Sequence, residues 1–250
     1  MIPIKSEFEI QAMRRAGKIT AAALAFAGEL VRPGVTTHEI DREICKFIRS
    51  HGAEPTFLNY NGFPGSACIS INDTVIHGIP GPRRIVQGDI VSIDVGARID
   101  GFTGDMARTF AAGEISEEAA RLISVTEQSF WEGMKFARAG NRVPDISKAI
   151  EDYVTASGFS VVREYTGHGV GAQLHEEPEV PNFVFRNGGP RPRLYAGMTL
   201  AVEPMVNAGR AEVRRLKDGW TVVTRDGSLS AHYENTILIR DGEPEILTIV

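Results

Sequence analysis

Asp94 and Asp105 are the residues of this sequence whose setting most clearly asks for chemistry. Asp94 lies inside an apolar, β-branched run (Ile90, Val91, Ile93, Val95), and Asp105 lies in the run that returns from an Asp100-Gly101 pair, all within GDIVSIDVGARIDGFTGDMARTF, Gly88 to Phe110. An Asp-Gly pair between two such runs predicts a β-hairpin. With that turn, residues whose numbers sum to 201 face each other, so Asp94 faces Ala107 and Asp105 faces Gly96. Asp105 is then the diagonal neighbour of Asp94 on the same face, with backbones roughly 7–8 Å apart. Two carboxylates on a face otherwise built for burial repel each other and lose hydration, so a cation between them is the working expectation.

The elements that must position these acids read as two similar halves. Ser6 with Glu9 is a capping-box pattern that predicts a helix towards Leu30, ended by Val31-Arg-Pro-Gly34. Thr36 with Glu39 caps a second helix with Ile40, Ile44, Phe47 and Ile48 on one face, up to Gly52. A loop with Phe57, Tyr60 and Phe63, a strand from Cys68 to Asn72, His77-Gly-Ile-Pro80 and the acid-bearing hairpin follow. The order then restarts. Ser116 opens a third helix to about Ala139, and Asp145 caps a fourth with Ile146, Ala149, Ile150, Tyr153 and Val154 at helical spacing, stopped by Gly158. Gly167-His168-Gly and Leu174-His175-Glu-Glu-Pro come next. GMTLAVEP, Gly197 to Pro204, lines up with GDIVSIDV and puts Glu203 in the place of Asp94. A last β segment from Trp220 to Ile239 turns at Asp226-Gly227 and carries Glu234. Ser6 to Ser116, Thr37 to Asp145, Gly52 to Gly158 and Asp94 to Glu203 are all offset by about 110 residues. The expectation is an α/β (α+β) fold: one domain over 1–250, with a pseudo-twofold repeat of helix-helix-hairpin units, about 6–110 and 116–239, around a central antiparallel sheet.

Composition narrows the class. A chain of 250 residues, 42% hydrophobic and 24% charged, can bury a sizeable core, and a net charge of −5 exerts no bulk pull on nucleic acid. The basic spots Arg83-Arg84, Arg191-Pro-Arg193 and Arg214-Arg215 read as solvated loops, with a ribosome or RNA contact as the alternative. Cys45 and Cys68 are the only cysteines, which gives no disulfide framework and no zinc ribbon and favours a reducing compartment. MIPIKSEFEI has no signal-peptide pattern, and the longest apolar run, around Ile19 to Ala27, is far short of a membrane span. The cytoplasm is expected.

The converging set is Asp94, Asp105, His168, Glu203 and Glu234, with His77 and His175 nearby. Four carboxylates and one imidazole suit Mn²⁺, Fe²⁺, Co²⁺ or Zn²⁺, and are too many ligands for one small ion. A bridged pair uses them all, and such pairs serve hydrolysis. His168 between two glycines is hard to explain as core packing, whereas His175 fits a loop residue equally well. His38, His51 and His232 read as helix-end or strand-surface residues. Trp220, Tyr60 and Phe63 read more readily as core than pocket, and Cys68 as a buried small hydrophobe.

HGIP at His77, IDVGARIDGFTGD, GHGVGAQLHEEP, LAVEP and SLSAHYENTI together resemble the type I methionine aminopeptidases, of the M24 metallopeptidase family, over nearly the whole chain. The resemblance implies the pita-bread fold, two divalent metal ions and removal of initiator methionine from nascent polypeptide N-termini when the next residue is small and the amine is free. By motif position it makes Asp94, Asp105, His168, Glu203 and Glu234 the metal ligands, and Glu203 a proton shuttle. It makes His77 and His175 the residues that contact substrate and stabilise the tetrahedral intermediate, and it places Tyr60, Phe63, Cys68 and Trp220 in the methionine pocket. Leu174 and Phe63 depart from the aromatic and the tyrosine common at those positions. The interval from His175 to Glu203 leaves no room for the type II helical insertion, and no extension precedes Ser6, so the minimal, bacterial-style form is expected, as a monomer with no membrane partner. Two rivals are an Xaa-Pro aminopeptidase or prolidase of the same fold, and a binding protein that keeps the fold without the chemistry.

Overall fold

Both halves begin with helices whose first turns are closed by side chains. The structure, a computed structural model, describes residues 2–249. Ser6 Oγ accepts from the Glu9 N–H while the Glu9 carboxylate accepts from the Ser6 N–H, and this opens α1 (Glu7–Leu30). Thr36 and Glu39 repeat the arrangement for α2 (Thr37–Ser50). The chain then forms β1 (Glu54–Pro55), a single 3-10 turn at Tyr60–Gly62, β2 (Ala67–Ile71), β3 (Thr74–Ile76) and a long hairpin, β4 (Ile90–Ile99) with β5 (Phe102–Ala111). Asp100 and Gly101 both sit at positive φ, 53° and 82°, as a two-residue turn of this twist requires. Asp94 faces Ala107 and Asp105 faces Gly96, the register expected from the sequence.

The second half starts with α3 (Glu117–Met134), capped by Ser116, and α4 (Val143–Ala156). Both differ from the sequence expectation. α3 ends at Met134, not near Ala139, because its last turn tightens into Phe136→Gly133 and Ala137→Met134 bonds and Ala139 then donates to the Arg240 carbonyl. The cap position of α4 is Arg142, not Asp145. Pro144, which has no N–H to lose, suits the first turn and sets the start upstream, and the Asp145 carboxylate accepts from the Arg142 N–H at 2.7 Å.

After these come β6 (Ser160–Val161), β7 (Gly167–Gly169), β8 (Glu176–Val180), β9 (Thr199–Val202), β10 (Met205–Asn207), β11 (Val213–Arg215), β12 (Val222–Thr224), β13 (Ser230–His232), β14 (Glu234–Leu238) and β15 (Glu245–Ile246). The central sheet runs β1-β4-β5-β14-β9-β7-β8, with β2 also on β4 and β15 on β14, and its pairs are antiparallel. The single β segment expected from Trp220 to Ile239 is three short strands, β12, β13 and β14. The turn at Asp226-Gly227 exists, but β12 pairs with β11 and β3 while β13 pairs with β10. Asp226 accepts from the Arg210 N–H and from both the N–H and hydroxyl of Ser228, so the turn closes on itself and sends its arms to different sheets. Each helix pair covers its own half of the central sheet. Leu24, Ile40, Ile44 and Ile48 pack on Ile69, Ile93 and Val95, whereas Leu122, Phe130, Ile146 and Ile150 pack on Leu200, Val202 and Ile237.

Candidate active site

The strand register alone puts six polar side chains on one face. Ala107 of β5 is opposite Asp94 on one side and Glu234 of β14 on the other. Thr236 of β14 is opposite Ala201 of β9, which is opposite His168 of β7. Asp105 is two residues from Ala107, Thr236 two from Glu234 and Glu203 two from Ala201, so a period of two keeps all of them on that face. The Thr236 hydroxyl accepts from the Asp105 N–H and donates to the Asp105 carbonyl, which fixes β5 against β14 where the acid projects.

These side chains meet. His168 Nε2 is 3.5 Å from Glu203 Oε1 and 3.7 Å from Asp105 Oδ2. One donor atom from each of Asp105, His168 and Glu234 falls within 4.8 Å of the others. The His168 Nδ1 lies 2.8 Å from the Gly169 carbonyl, which can only accept, so the ring proton sits on Nδ1 and a lone pair on Nε2 faces the acids. Burial, with His175 alongside, lowers the His168 pKa to about 3 and keeps that ring neutral. Burial first, and then repulsion among the acids, pushes the Asp94, Glu203 and Glu234 carboxyls well above the usual range. Burial raises Asp105 as well. Asp94 Oδ1 and Asp105 Oδ1 are buried with no hydrogen-bond partner among the described residues. Arg108 is near but directs its N–H groups to the Ala107 and Glu234 carbonyls and to the Asn235 side chain. Partnerless carboxylate oxygens and an imidazole lone pair aimed at one point fit a hard to borderline divalent cation.

Above the acids lies a cavity of about 210 Å³, small beside the ~300–1,000 Å³ of common ligand pockets and suited to a single residue. It brings together every site residue named from the sequence: Asp94, Asp105, His168, Glu203 and Glu234 with His77, His175, Tyr60, Phe63, Cys68 and Trp220. Cys68 reaches it because β2 pairs with β4 and sets Cys68 opposite Asp94. Burial and the neighbouring acids raise its thiol pKa, so it lies there as an apolar –SH. Phe63 meets Trp220 edge-on at 5.2 Å, and His77 stands edge-on to Tyr165 at 5.7 Å and Trp220 at 6.3 Å. His175 is 4.3 Å from His168 between ring centres, and its Nδ1 is 2.7 Å from the Tyr60 hydroxyl. Burial holds His77 down to about 4 and lowers His175 too.

Sequence reasoning missed Phe57 and Tyr165, which also line the cavity, and it misread His232. His232 is not at the surface. It is 2% exposed, covered where β13 pairs with β10, and its Nε2 stands 3.5 Å from Glu203 Oε2. The available signal was parity, since His232 is two residues before Glu234. Reading Tyr60, Phe63 and Trp220 as core is corrected to cavity wall, because the apolar cluster they join with Phe57, Cys68 and Leu174 is open on the side facing the acids.

The model of Metallopeptidase family M24 matches residues 11–241 of the chain. Over 250 residues the chain is 56% identical to a methionine aminopeptidase of Clostridium perfringens, covering all of both. A solved methionine aminopeptidase from Rickettsia prowazekii superposes with a TM-score of 0.96 at 43% identity, again over 100% of each chain. A prolidase from Pyrococcus furiosus superposes with a TM-score of 0.81 at 22% identity, over 99% of this chain and 65% of that one, a likeness of fold alone.

Proposed function

The chain belongs to metallopeptidase family M24, and we infer that within it the protein is a methionine aminopeptidase, hydrolysing the bond after an N-terminal methionine. Its mixed α/β architecture around an antiparallel sheet is the pita-bread fold. The observation that carries the functional reading is the cluster of four buried acids, with an oxygen of Asp94 and one of Asp105 left unpartnered, and one neutral imidazole lining a small cavity. The family binds divalent metal. We read Asp94, Asp105, His168, Glu203 and Glu234 as holding two ions, of Co, Mn, Fe or Zn. Such ions, when bound, supply Lewis acidity and lower the pKa of a coordinated water.

The chain's own groups do the rest. With the Tyr60 hydroxyl donating to His175 Nδ1, the neutral ring carries its proton on Nε2 and offers a donor to the scissile carbonyl oxygen as charge develops there. His77 also lines the cavity and supplies a second neutral imidazole for substrate. Glu203, whose carboxyl is raised by burial and by Asp94 and Asp105, can hold a proton on its way to the leaving amine. Tyr60, Phe63, Cys68 and Trp220 form the wall for the methionine side chain, where ring faces and sulfur suit an unbranched thioether. Charged side chains would lose their hydration there. The substrate amine is assigned to Asp94, so a formyl or acetyl group blocks the reaction. The next residue passes between the His77 and His175 loops, so only small ones are processed well.

One catalytic unit over 1–250, built of halves at about 6–110 and 116–239, is the reading that the two helix pairs support. The protein acts on polypeptide N-termini; nascent chains in the cytoplasm, a monomeric state and a transient ribosome contact through spots such as Arg214-Arg215 complete the proposal. No helix of the described residues is long and apolar enough to cross a membrane. The test is metal-supplemented hydrolysis of Met-Ala-Ser, formyl-Met-Ala-Ser, Met-Leu-Ser and Ala-Pro-Ser side by side. Free methionine from the first, with little reaction of the other three, is the expected result. Preferential cleavage of Ala-Pro-Ser would transfer the protein to the Xaa-Pro class, and comparable rates on the formylated peptide would remove the amine from the recognition.

A further inference from the structure

The loop that carries His175 is tied at its base by a buried ion pair. Lys5 Nζ donates to Glu176 Oε2 at 2.6 Å, with the lysine side chain 4% exposed and the glutamate 10%. The other oxygen, Glu176 Oε1, accepts from the Gln173 N–H at 3.1 Å, inside the same loop. Gly171 leaves the space, since a Cβ there would stand 2.5 Å from Lys5 Cε and 2.7 Å from Glu176 Oε1. Lys5 is anchored in turn, its own N–H donating to the Gly197 carbonyl at 2.8 Å, just ahead of β9 and Glu203. Glu176 directly follows His175, so one carboxylate couples a lysine before α1, the turn at Gln173 and the backbone that aims the imidazole.

Charges taken out of water hold together only in good geometry, and removing one leaves the other uncompensated. A pair so enclosed fixes the chain it joins more tightly than a surface contact would. On this basis we propose that Lys5 is a positioning residue for His175, holding the 171–176 loop so that the ring faces the scissile bond. The proposal rests on the reading that His175 acts on substrate. Lys5 is not among the residues that line the cavity, and its effect is carried by Glu176. Loss of the ammonium would let the loop drift, and a displacement of about 1 Å at a reacting group can cost roughly a hundredfold in rate.

The experiment is a double-mutant cycle in the full chain loaded with divalent metal, using Lys5→Met, Lys5→Arg, His175→Ala and the Lys5→Met/His175→Ala pair. kcat and KM on Met-Ala-Ser, bound metal, and amide exchange of residues 171–176 in the metal-free protein are measured. Lys5→Met is expected to lower kcat by roughly ten- to a hundredfold with KM and metal content held, and to speed exchange in the loop. Lys5→Arg should recover most of that loss. In the His175→Ala background Lys5→Met should cost no more than about twofold, because residues acting through one group do not add. A full Lys5→Met penalty that persists without the His175 ring would overturn the proposal and make the pair a fold-wide brace. So would a Lys5→Met protein with parental kcat alongside an impaired His175→Ala protein. An unimpaired His175→Ala protein would instead remove the reading of His175 itself, and the proposal with it. If Lys5→Met does not fold, Glu176→Gln, which keeps the side chain's shape and removes its charge, runs the same cycle against His175.

Discussion

His168 and His175 stand 4.3 Å apart between ring centres and are both neutral, yet their surroundings divide their work. His168 spends Nδ1 on a backbone carbonyl and turns Nε2 to the acids, whereas the Nδ1 of His175 is engaged by a tyrosine hydroxyl at the cavity wall. His168→Ala should therefore lower divalent-metal affinity, read by calorimetry. His175→Ala should retain metal and lose about 10²–10³-fold in kcat, the usual cost of one transition-state donor. The reverse pattern would exchange the two assignments. At this scale Asp94 and Asp105 were legible because both lie on one local hairpin, whose turn residues fix the register. His232 was not. Its partner Glu203 lies outside SLSAHYENTI, and the one local signal, parity with Glu234, marks a shared face without showing that the strand is covered.

α1 lies against β5 with glycine on both sides of the contact, and that closeness sets the depth of the acid-bearing hairpin. A Cβ on Gly104 would meet Gly17 Cα at 2.9 Å, and one on Gly17 would meet the Leu247 carbonyl oxygen at 2.2 Å. Gly17→Ala must lift the helix off rigid backbone, so denaturant unfolding should show a loss of about 1–3 kcal/mol despite the better helix former. A separate contact of α1, with β15, is electrostatic. Glu245, the first residue of β15, accepts from Arg14 Nε at 2.6 Å and from Arg240 at 2.7 Å, and the Arg14 hydrogen bond holds its carboxyl down to about 2 from an ordinary 4.5. A carboxyl depressed on folding stabilises fully above its unfolded pKa and loses that contribution as pH falls through the folded one. Glu245→Gln should thus cost roughly 1 kcal/mol at pH 7, kept small because the pair is a third exposed, and nothing near pH 2. A difference that grew on acidification would contradict it. Both capping boxes were legible because they are local, while the start of α4 was misplaced because Asp145 at its third position imitates a cap next to Pro144.

Across the whole molecule, the site exists only once β5, β14, β9 and β7 are side by side, and residues from Asp94 to Glu234 are joined by pairings that local sequence patterns cannot specify. The offset of about 110 residues between halves hinted at convergence, and the motif resemblance named the members; the register of the sheet supplies the physical reason that they meet. Assembled so, the acids raise one another's pKa values and leave buried oxygens unpaired, a cost that the fold carries for the sake of a cation. The most direct test of that claim is a metal titration of chelator-stripped protein, with anomalous scattering locating the ions and methionine release from Met-Ala-Ser followed on the same preparation. The expected result is two peaks bounded by Asp94, Asp105, His168, Glu203 and Glu234, with turnover rising as they fill; full turnover in chelator, or metal bound elsewhere while activity is complete, would contradict it.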